Sequence, residues 1–321
     1  MPLQRVKEAF HRYYPGYYTG YLKSHLFPGN RTQDPLAIPG FTCPIRLLSY
    51  NIQVGINTHS YRHYLTRSWQ HILPSIEKNK NLDRIAGILP EFDVVALQEA
   101  DGGSLRSSYI NQIEYLAQRG HFPFWYQQLN RNLGKFAQHS NGLLSRFCPL
   151  SVEDHRLPGI IPGRGAIVAR LGTEKCSILI IIMHLALSQR SRNTQLGYIS
   201  ELIQHQQHVI LMGDMNTHAD QLLHESPLKN SHLQALQGSH FTFPSWQPRR
   251  SLDHILVSPS FNIHQLGVLN IPISDHLPVA IEIQIKDHIR AYQKDNSSDS
   301  EKKAKKKSDI GGGRRRGDIR P

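Results

Sequence analysis

Residues 178–184 read ILIIIMH and residues 209–216 read VILMGDMN: two short apolar runs that each stop on polar residues, His184 in the first and Asp214 and Asn216 in the second. Ile178 to Met183 has no polar residue at either parity, so a strand here is apolar on both faces and needs cover on both sides. Similar runs recur along the chain as IRLLSY (45–50), VVALQ (94–98), GLLS (142–145), AIVARL (166–171), HILVS (254–258) and VAIEIQI (279–285). Polar helical stretches lie between them, and that alternation predicts an α/β fold. One helix is expected from Ser104 to Arg119, with Ser104 as N-cap, Leu105, Tyr109, Ile113 and Leu116 on one stripe and Gly120 as stop. A second is expected from Arg190 to Gln204, and Pro74 interrupts a helical pattern that Leu82, Ile85, Ile88 and Leu89 resume.

The ends of the chain differ from this middle. Residues 1–44 are rich in Tyr, Pro and Gly without sustained periodicity, and are read as an irregular extension. Residues 45–286 form the predicted α/β domain, and residues 287–321, poor in apolar side chains, are read as a disordered basic tail. The formal net charge is +12, of which residues 287–321 supply +5 (11 basic, 6 acidic) and residues 1–44 supply +3 (5 basic, 2 acidic). The domain between them is only mildly basic, so a polyanionic partner is allowed but not demanded. Ile178 to Met183 is the longest apolar run, far short of the roughly 20 residues of a spanning helix. No apolar secretion core follows Met1, so the expectation is a cytoplasmic monomer without integral membrane association. Cys43, Cys148 and Cys176 lack CxxC spacing and are expected to be reduced and buried.

The polar residues that follow the apolar runs carry the chemistry. Asn51 ends the first, Glu99 the second, His184 the fifth and Asp214 the sixth, while Ser274, Asp275 and His276 open the last. Taken singly, each has an ordinary structural reading as a cap, an Asx-turn or a satisfied core histidine. Five strand ends with the same polarity are less easily explained, because α/β folds place their sites at such edges. Carboxylates and an amide oxygen without thiolates suit a hard cation, Mg²⁺ or Mn²⁺. An Asp and a His beside such a cation suit metal-assisted hydrolysis of a phosphate ester.

The ordered set LLSYNIQ, VALQEAD, NGLLSR, RGAIVARL, MHLAL, LMGDMNT, LDHILVS and SDHLPVAIEI resembles the successive motifs of the endonuclease/exonuclease/phosphatase superfamily, with its deoxyribonuclease I-like fold, over about residues 45–285. The resemblance implies a four-layered sandwich of two packed mixed β-sheets flanked by helices, and a Mg²⁺-dependent hydrolase of phosphate esters. It places Asn51, Glu99 and Asp275 on the metal side. His276, oriented by Asp253, becomes the general base or the holder of the scissile phosphate. Asp214 positions water or assists the leaving group, Asn216 donates a hydrogen bond to the pentacovalent phosphate, and His184 is the second active-site histidine.

Ile182 departs from the pattern, since the family often has Asn two residues before the histidine equivalent to His184. Arg146 and Arg164 match basic positions that in nuclease relatives face substrate phosphates, and Arg192 with Gln195 is given a positioning role. His254 alternates away from Asp253 and is read as packing. WYQQLNRNLGKF (125–136) and FPSWQPRR (243–250) are candidate walls of a substrate groove. Three readings of function follow: a phosphodiesterase acting on nucleic acid; a hydrolase of phospholipid, nucleotide or another small phosphate ester; and a catalytically silent nucleic-acid-binding module. Buried carboxylates at unfavourable spacing speak against the third.

Overall fold

A computed structural model describes residues 43–55, 76–132, 136, 138–159, 163–174, 176–235 and 240–286. Most of residues 1–44, Pro74 and the whole of 287–321 lie outside this set. Among the described residues there are eleven strands: β1 (Ile45–Asn51), β2 (Val94–Asp101), β3 (Phe124–Asn132), β4 (Gln138–Ser145), β5 (Pro149–Arg156), β6 (Gly165–Gly172), β7 (Ser177–His184), β8 (Val209–Asp214), β9 (Asp253–Val257), β10 (Phe261–Val268) and β11 (Val279–Ile285). Four α-helices accompany them: α1 (Ile76–Ala86), α2 (Gln112–Arg119), α3 (Gln189–Ile203) and α4 (Ala219–His224).

The strands form two mixed sheets, ordered β10-β11-β1-β2-β4-β3 and β5-β6-β7-β8-β9. Each holds one parallel pair, β1 with β2 and β7 with β8. Alternation along β7 explains the layering. Ile178, Ile180 and Ile182 join the core between the sheets, where they meet Ile45, Leu47, Val94 and Ala96. Leu179, Ile181 and Met183 face the other way onto Leu196, Ile199 and Ile203 of α3. On the far side of the first sheet, Leu48, Tyr50, Val95 and Leu97 pack on Leu82, Ile85, Ile113 and Leu116 of α1 and α2. Helices, sheet, sheet and helices make four layers. Each fully buried Ile or Leu in them is worth about 1.5–3 kcal/mol relative to exposure.

Two expectations are corrected. The helix expected from Ser104 is a 3-10 turn at Leu105–Ser107 followed by α2, because Asp101 accepts hydrogen bonds from the Ser104 and Ser107 hydroxyls and from the Ser104 amide. Ser108 and Tyr109 then turn left-handed, at φ 57° and 62°, and Asn111 caps α2 by accepting from the amides of Ile113 and Glu114. The cysteines are free, but Cys43 and Cys148 are exposed and Cys176 is half-buried, since they sit at strand ends instead of in the core. The helix expected at 190–204 forms as α3, capped by Ser188. No helix among the described residues is long and apolar enough to cross a membrane.

Candidate active site

The two parallel pairs end at the same edge of the sandwich, and the polar residues sit on those ends. Asn51 closes β1. Glu99 lies in β2 where the pairing with β4 slips between Leu97 and Ala100, and its φ of +56° marks the bulge that re-aims its side chain. In the second sheet the register sets His184 beside Asp214 and Asp214 beside Asp253, a row across three strands. Gly213 makes this row possible: its φ is +143°, and a Cβ there would lie 1.8 Å from the Met183 carbonyl oxygen.

Hydrogen bonds join the sheets at this edge. Asn51 Nδ2 donates to Glu99 Oε1 and to Asp214 Oδ2, at 3.2 Å each. Ser274 Oγ donates to the Asn51 carbonyl at 2.7 Å, which seats the turn carrying Asp275 and His276 beside β1. That turn is held from behind by the 243–250 segment. Ser245 donates through its hydroxyl to the Ser274 carbonyl and through its amide to the Asp275 carbonyl, and the Phe243 ring lies 4.9 Å from the His276 ring. Residues 243–250, read from the sequence as a groove wall, therefore also brace the site.

His276 Nδ1 is 2.7 Å from Asp253 Oδ2, and its Nε2 is 3.9 Å from Asp214 Oδ2. Burial opposes charge on this imidazole, yet Asp253 and Asp214 hold its pKa well above the ordinary value. Asp214 is pushed up to about 7 by burial first, then by Asp253, with His276 opposing and Glu99 adding. Burial, with Glu99 contributing, raises Asp275 to about 6. His184 Nε2 lies 3.4 Å from Asp214 Oδ2 and 3.9 Å from Glu99 Oε1. Burial, followed by Arg164 and His276, keeps its pKa well below 6.5.

Crowded carboxylates that retain protons near neutrality are a set of hard oxygen donors short of positive charge, which fits a divalent cation. Asp214, Asp253 and His276 are close enough to share one, their ligand atoms all lying within 4.8 Å of one another. The 2.7 Å contact already commits Nδ1 of His276 and Oδ2 of Asp253 to each other. On the more open side, Glu99 is the most exposed of these carboxylates, with a side chain 31% accessible, and could serve as a further oxygen ligand.

The other expected residues divide. Asn216, at φ +52°, donates from Nδ2 to the Leu185 carbonyl, and its amide donates to Asp214 Oδ1. Arg164 lines a cavity of about 420 Å³ together with Glu99, His184 and Gln195. Arg192 instead donates to the Ala186 and Leu187 carbonyls and so holds the loop after β7. Arg146 lies beyond the opposite end of β4, where it donates to the Phe92, Pro90, His121 and Gly120 carbonyls and covers the Phe122 ring. It is a clamp on the fold, away from the cluster. His254 is buried, with Nε2 2.8 Å from the Thr217 carbonyl. Ile182 belongs to the core between the sheets. Arg131, inside the 125–136 stretch expected to wall a groove, does line this cavity, whereas the sequence reading missed Ser274 as a brace and His139 as a cavity wall. Ser274 was signalled by its place before Asp275 and His276; His139 carried no local signal.

Comparisons with known proteins agree with this architecture. A family model described as Endonuclease/Exonuclease/phosphatase family matches residues 48–276. A search of curated proteins finds no match. Among matching solved structures, an endonuclease/exonuclease/phosphatase from Beutenbergia cavernae is 17% identical, covering 75% of this chain and 72% of its own, with a TM-score of 0.58. A Bacteroides thetaiotaomicron mannosyl-6-phosphatase is 17% identical over 74% and 99% of the two chains, with a TM-score of 0.54. The human nocturnin catalytic domain is 18% identical over 76% and 95%, with a TM-score of 0.56. At these identities the structures share the fold, and the family match over most of the sandwich supplies the rest: this chain belongs to the endonuclease/exonuclease/phosphatase family of phosphoester hydrolases.

Proposed function

We propose that the chain is a Mg²⁺-dependent phosphodiesterase, with Mn²⁺ able to substitute, that acts on nucleic acid. The observation that carries this reading is the His276–Asp253 contact beside a buried Asp214 whose pKa lies at about 7. Asp253 fixes the imidazole through Nδ1 and leaves Nε2 for the substrate. Asp253 and Asp214 favour the charged form of His276, which suits it to holding a phosphoryl oxygen. Asp214 takes the proton of the attacking water as the water oxygen bonds to phosphorus. The ester P–O bond breaks, and the leaving oxygen takes its proton from solvent. The second hydrogen of Asn216 Nδ2, beyond the one given to the Leu185 carbonyl, would be donated to the phosphoryl group. Glu99, Asn51 and Asp275 would hold the cation, whose chemistry is to stabilise negative charge on the phosphoryl and leaving oxygens.

A second reading, a small phosphate ester as substrate, is favoured by the walled cavity beside Glu99 and His184. The net charge of +12 favours the polyanion. Assaying the purified chain with Mg²⁺ against DNA, RNA, abasic DNA, phospholipid and a generic phosphodiester separates the two. EDTA should abolish turnover, and Mg²⁺ should restore it. Glu99→Gln should lose both activity and calorimetric Mg²⁺ binding while keeping its melting temperature. Full activity after exhaustive chelation rejects the metal assignment, and turnover of phospholipid alone rejects nucleic acid.

A further inference from the structure

The cavity beside Glu99 and His184 has a composition that hydrolysis of one ester does not explain. Its walls include Asn130, Arg131, His139, Asn141, Arg164 and Gln195, and among the described residues Glu99, at the catalytic end, is its one acidic residue. The two arginines come from different sheets, Arg131 from β3 and Arg164 from the residue before β6. They are brought together at Gly163, whose φ is +103° and where a Cβ would sit 3.3 Å from Arg131 Cβ. Burial lowers the Arg164 pKa, with Glu99 and then Asp214 opposing and Arg131 adding a smaller lowering. Among the described residues neither arginine has a carboxylate within ion-pair distance or a side-chain hydrogen bond.

His139 adds a third donor. Its Nε2 is 3.3 Å from Arg106 Nη1, and a guanidinium only donates, so Nε2 accepts and the ring is neutral with its hydrogen on Nδ1. Arg106 is itself fixed by the buried carboxylate of Asp101. That Nδ1–H has no partner among the described residues. Two guanidiniums without an ion-pair partner among the described residues, and an imidazole with a donor to spare, in the wall of one cavity form an anion receptor, and phosphate oxygens suit the guanidinium fork best.

We propose that this cavity is a subsite for a second phosphate group of the substrate, bound by Arg131, Arg164 and His139 while the ester at Asp214 and His276 is cleaved. The proposal rests on the phosphoester reading of the neighbouring centre. It deepens that reading by requiring a substrate with two phosphate groups. A flanking phosphate of a nucleic acid and the extra phosphate of a small bisphosphorylated compound both meet the requirement.

The test uses the full chain and thymidine ligands. In calorimetric titration, thymidine 3′,5′-bisphosphate should bind about tenfold more tightly than thymidine 5′-monophosphate, the scale of a hydrogen bond to a charged group. Arg131→Met and Arg164→Met should each remove most of that difference with unchanged melting temperatures. Equal affinities in the unaltered chain overturn the subsite. A preference that survives in both variants overturns its assignment to these arginines. Turnover is read separately, with the 5′-nitrophenyl phosphate ester of thymidine and its 3′-phosphorylated counterpart. The second ester should show the lower KM, and Arg131→Met should raise KM for it alone. Hydrolysis of neither ester, with the binding preference intact, rejects the nucleotide phosphodiesterase reading and keeps the subsite. Comparing a dinucleotide carrying a terminal phosphate with the bisphosphorylated nucleoside ester distinguishes the two sources by which has the higher kcat/KM.

Discussion

Asn51 and Asp214 end strands of different sheets, and a hydrogen bond of 3.2 Å from Asn51 Nδ2 to Asp214 Oδ2 joins them. The same Nδ2 serves Glu99, so one neutral donor separates two carboxylates that would otherwise repel across the sandwich. Asn51→Ala should lower kcat about 10- to 100-fold, the usual effect of removing a residue that orients metal ligands. The melting temperature should change little, because the packing of β1 is carried by Leu47, Leu48 and Tyr50. Steady-state kinetics with Mg²⁺ and a thermal melt of the same sample check both halves. A variant as active as the parent would show that the bridge is structural only.

Asp253 acts through His276 if their 2.7 Å contact orients the imidazole. His276→Ala should cost at least ~10²-fold in kcat. Asp253→Asn should also be impaired, and the double variant should be little worse than His276→Ala alone, as for residues that work as a unit. A double-mutant cycle on kcat/KM measures the coupling. Independent, multiplying losses would assign Asp253 a role of its own, for which its buried Oδ1, without a hydrogen-bond partner among the described residues, is the available atom.

What could be read from the sequence follows from where water is. Strands β7 and β8 were legible because both of their faces are buried, so apolar residues fill both parities. Strands β3, β5 and β10 were not read as strands. All three are sheet edges, where half of each strand meets solvent and Trp125 and Leu150 stand 40% and 48% exposed among polar neighbours. The strand-end residues Asn51, Glu99, His184 and Asp214 stood out against apolar runs. The bulge that re-aims Glu99 did not, since no glycine marks its positive φ. Arg131 and His139 reach the cavity only because β3 pairs with β4, a pairing that no local pattern in a polar edge strand encodes.

Gly213 sets the approach of β8 to β7. A Cβ at this position would overlap the Met183 carbonyl, on a backbone conformation that other residues adopt only under strain. Gly213→Ala should therefore destabilise the fold by at least ~2 kcal/mol. It should also reduce kcat in whatever fraction remains folded, because His184 and Asp214 are register neighbours one residue further along. Urea denaturation gives the first quantity. A stability loss under about 0.5 kcal/mol, the range of an ordinary surface change, would mean that the strands separate without cost.

His254 gives the fold a pH dependence with a defined sign. Burial keeps its pKa below the ordinary 6.5, although the Thr217 carbonyl and Asp253 partly offset that effect. Below about pH 6.5 the unfolded chain therefore binds a proton that the folded chain refuses, and stability rises with pH wherever the unfolded state holds more protons. The contribution is complete above the unfolded value and is lost as pH falls through the folded one, at no more than about 1.4 kcal/mol per pH unit for a single group. His276 and Asp275 titrate in the same chain, so the comparison must be with a variant that removes only this histidine. His254→Gln keeps a donor for Thr217 and cannot ionise. Unfolding free energies of the parent and of His254→Gln, measured at pH 7 and pH 5, should diverge, with the parent losing more on acidification. Parallel curves would show that the imidazole becomes protonated in place, and that the packing between β9 and the loop at Thr217 accommodates the charge.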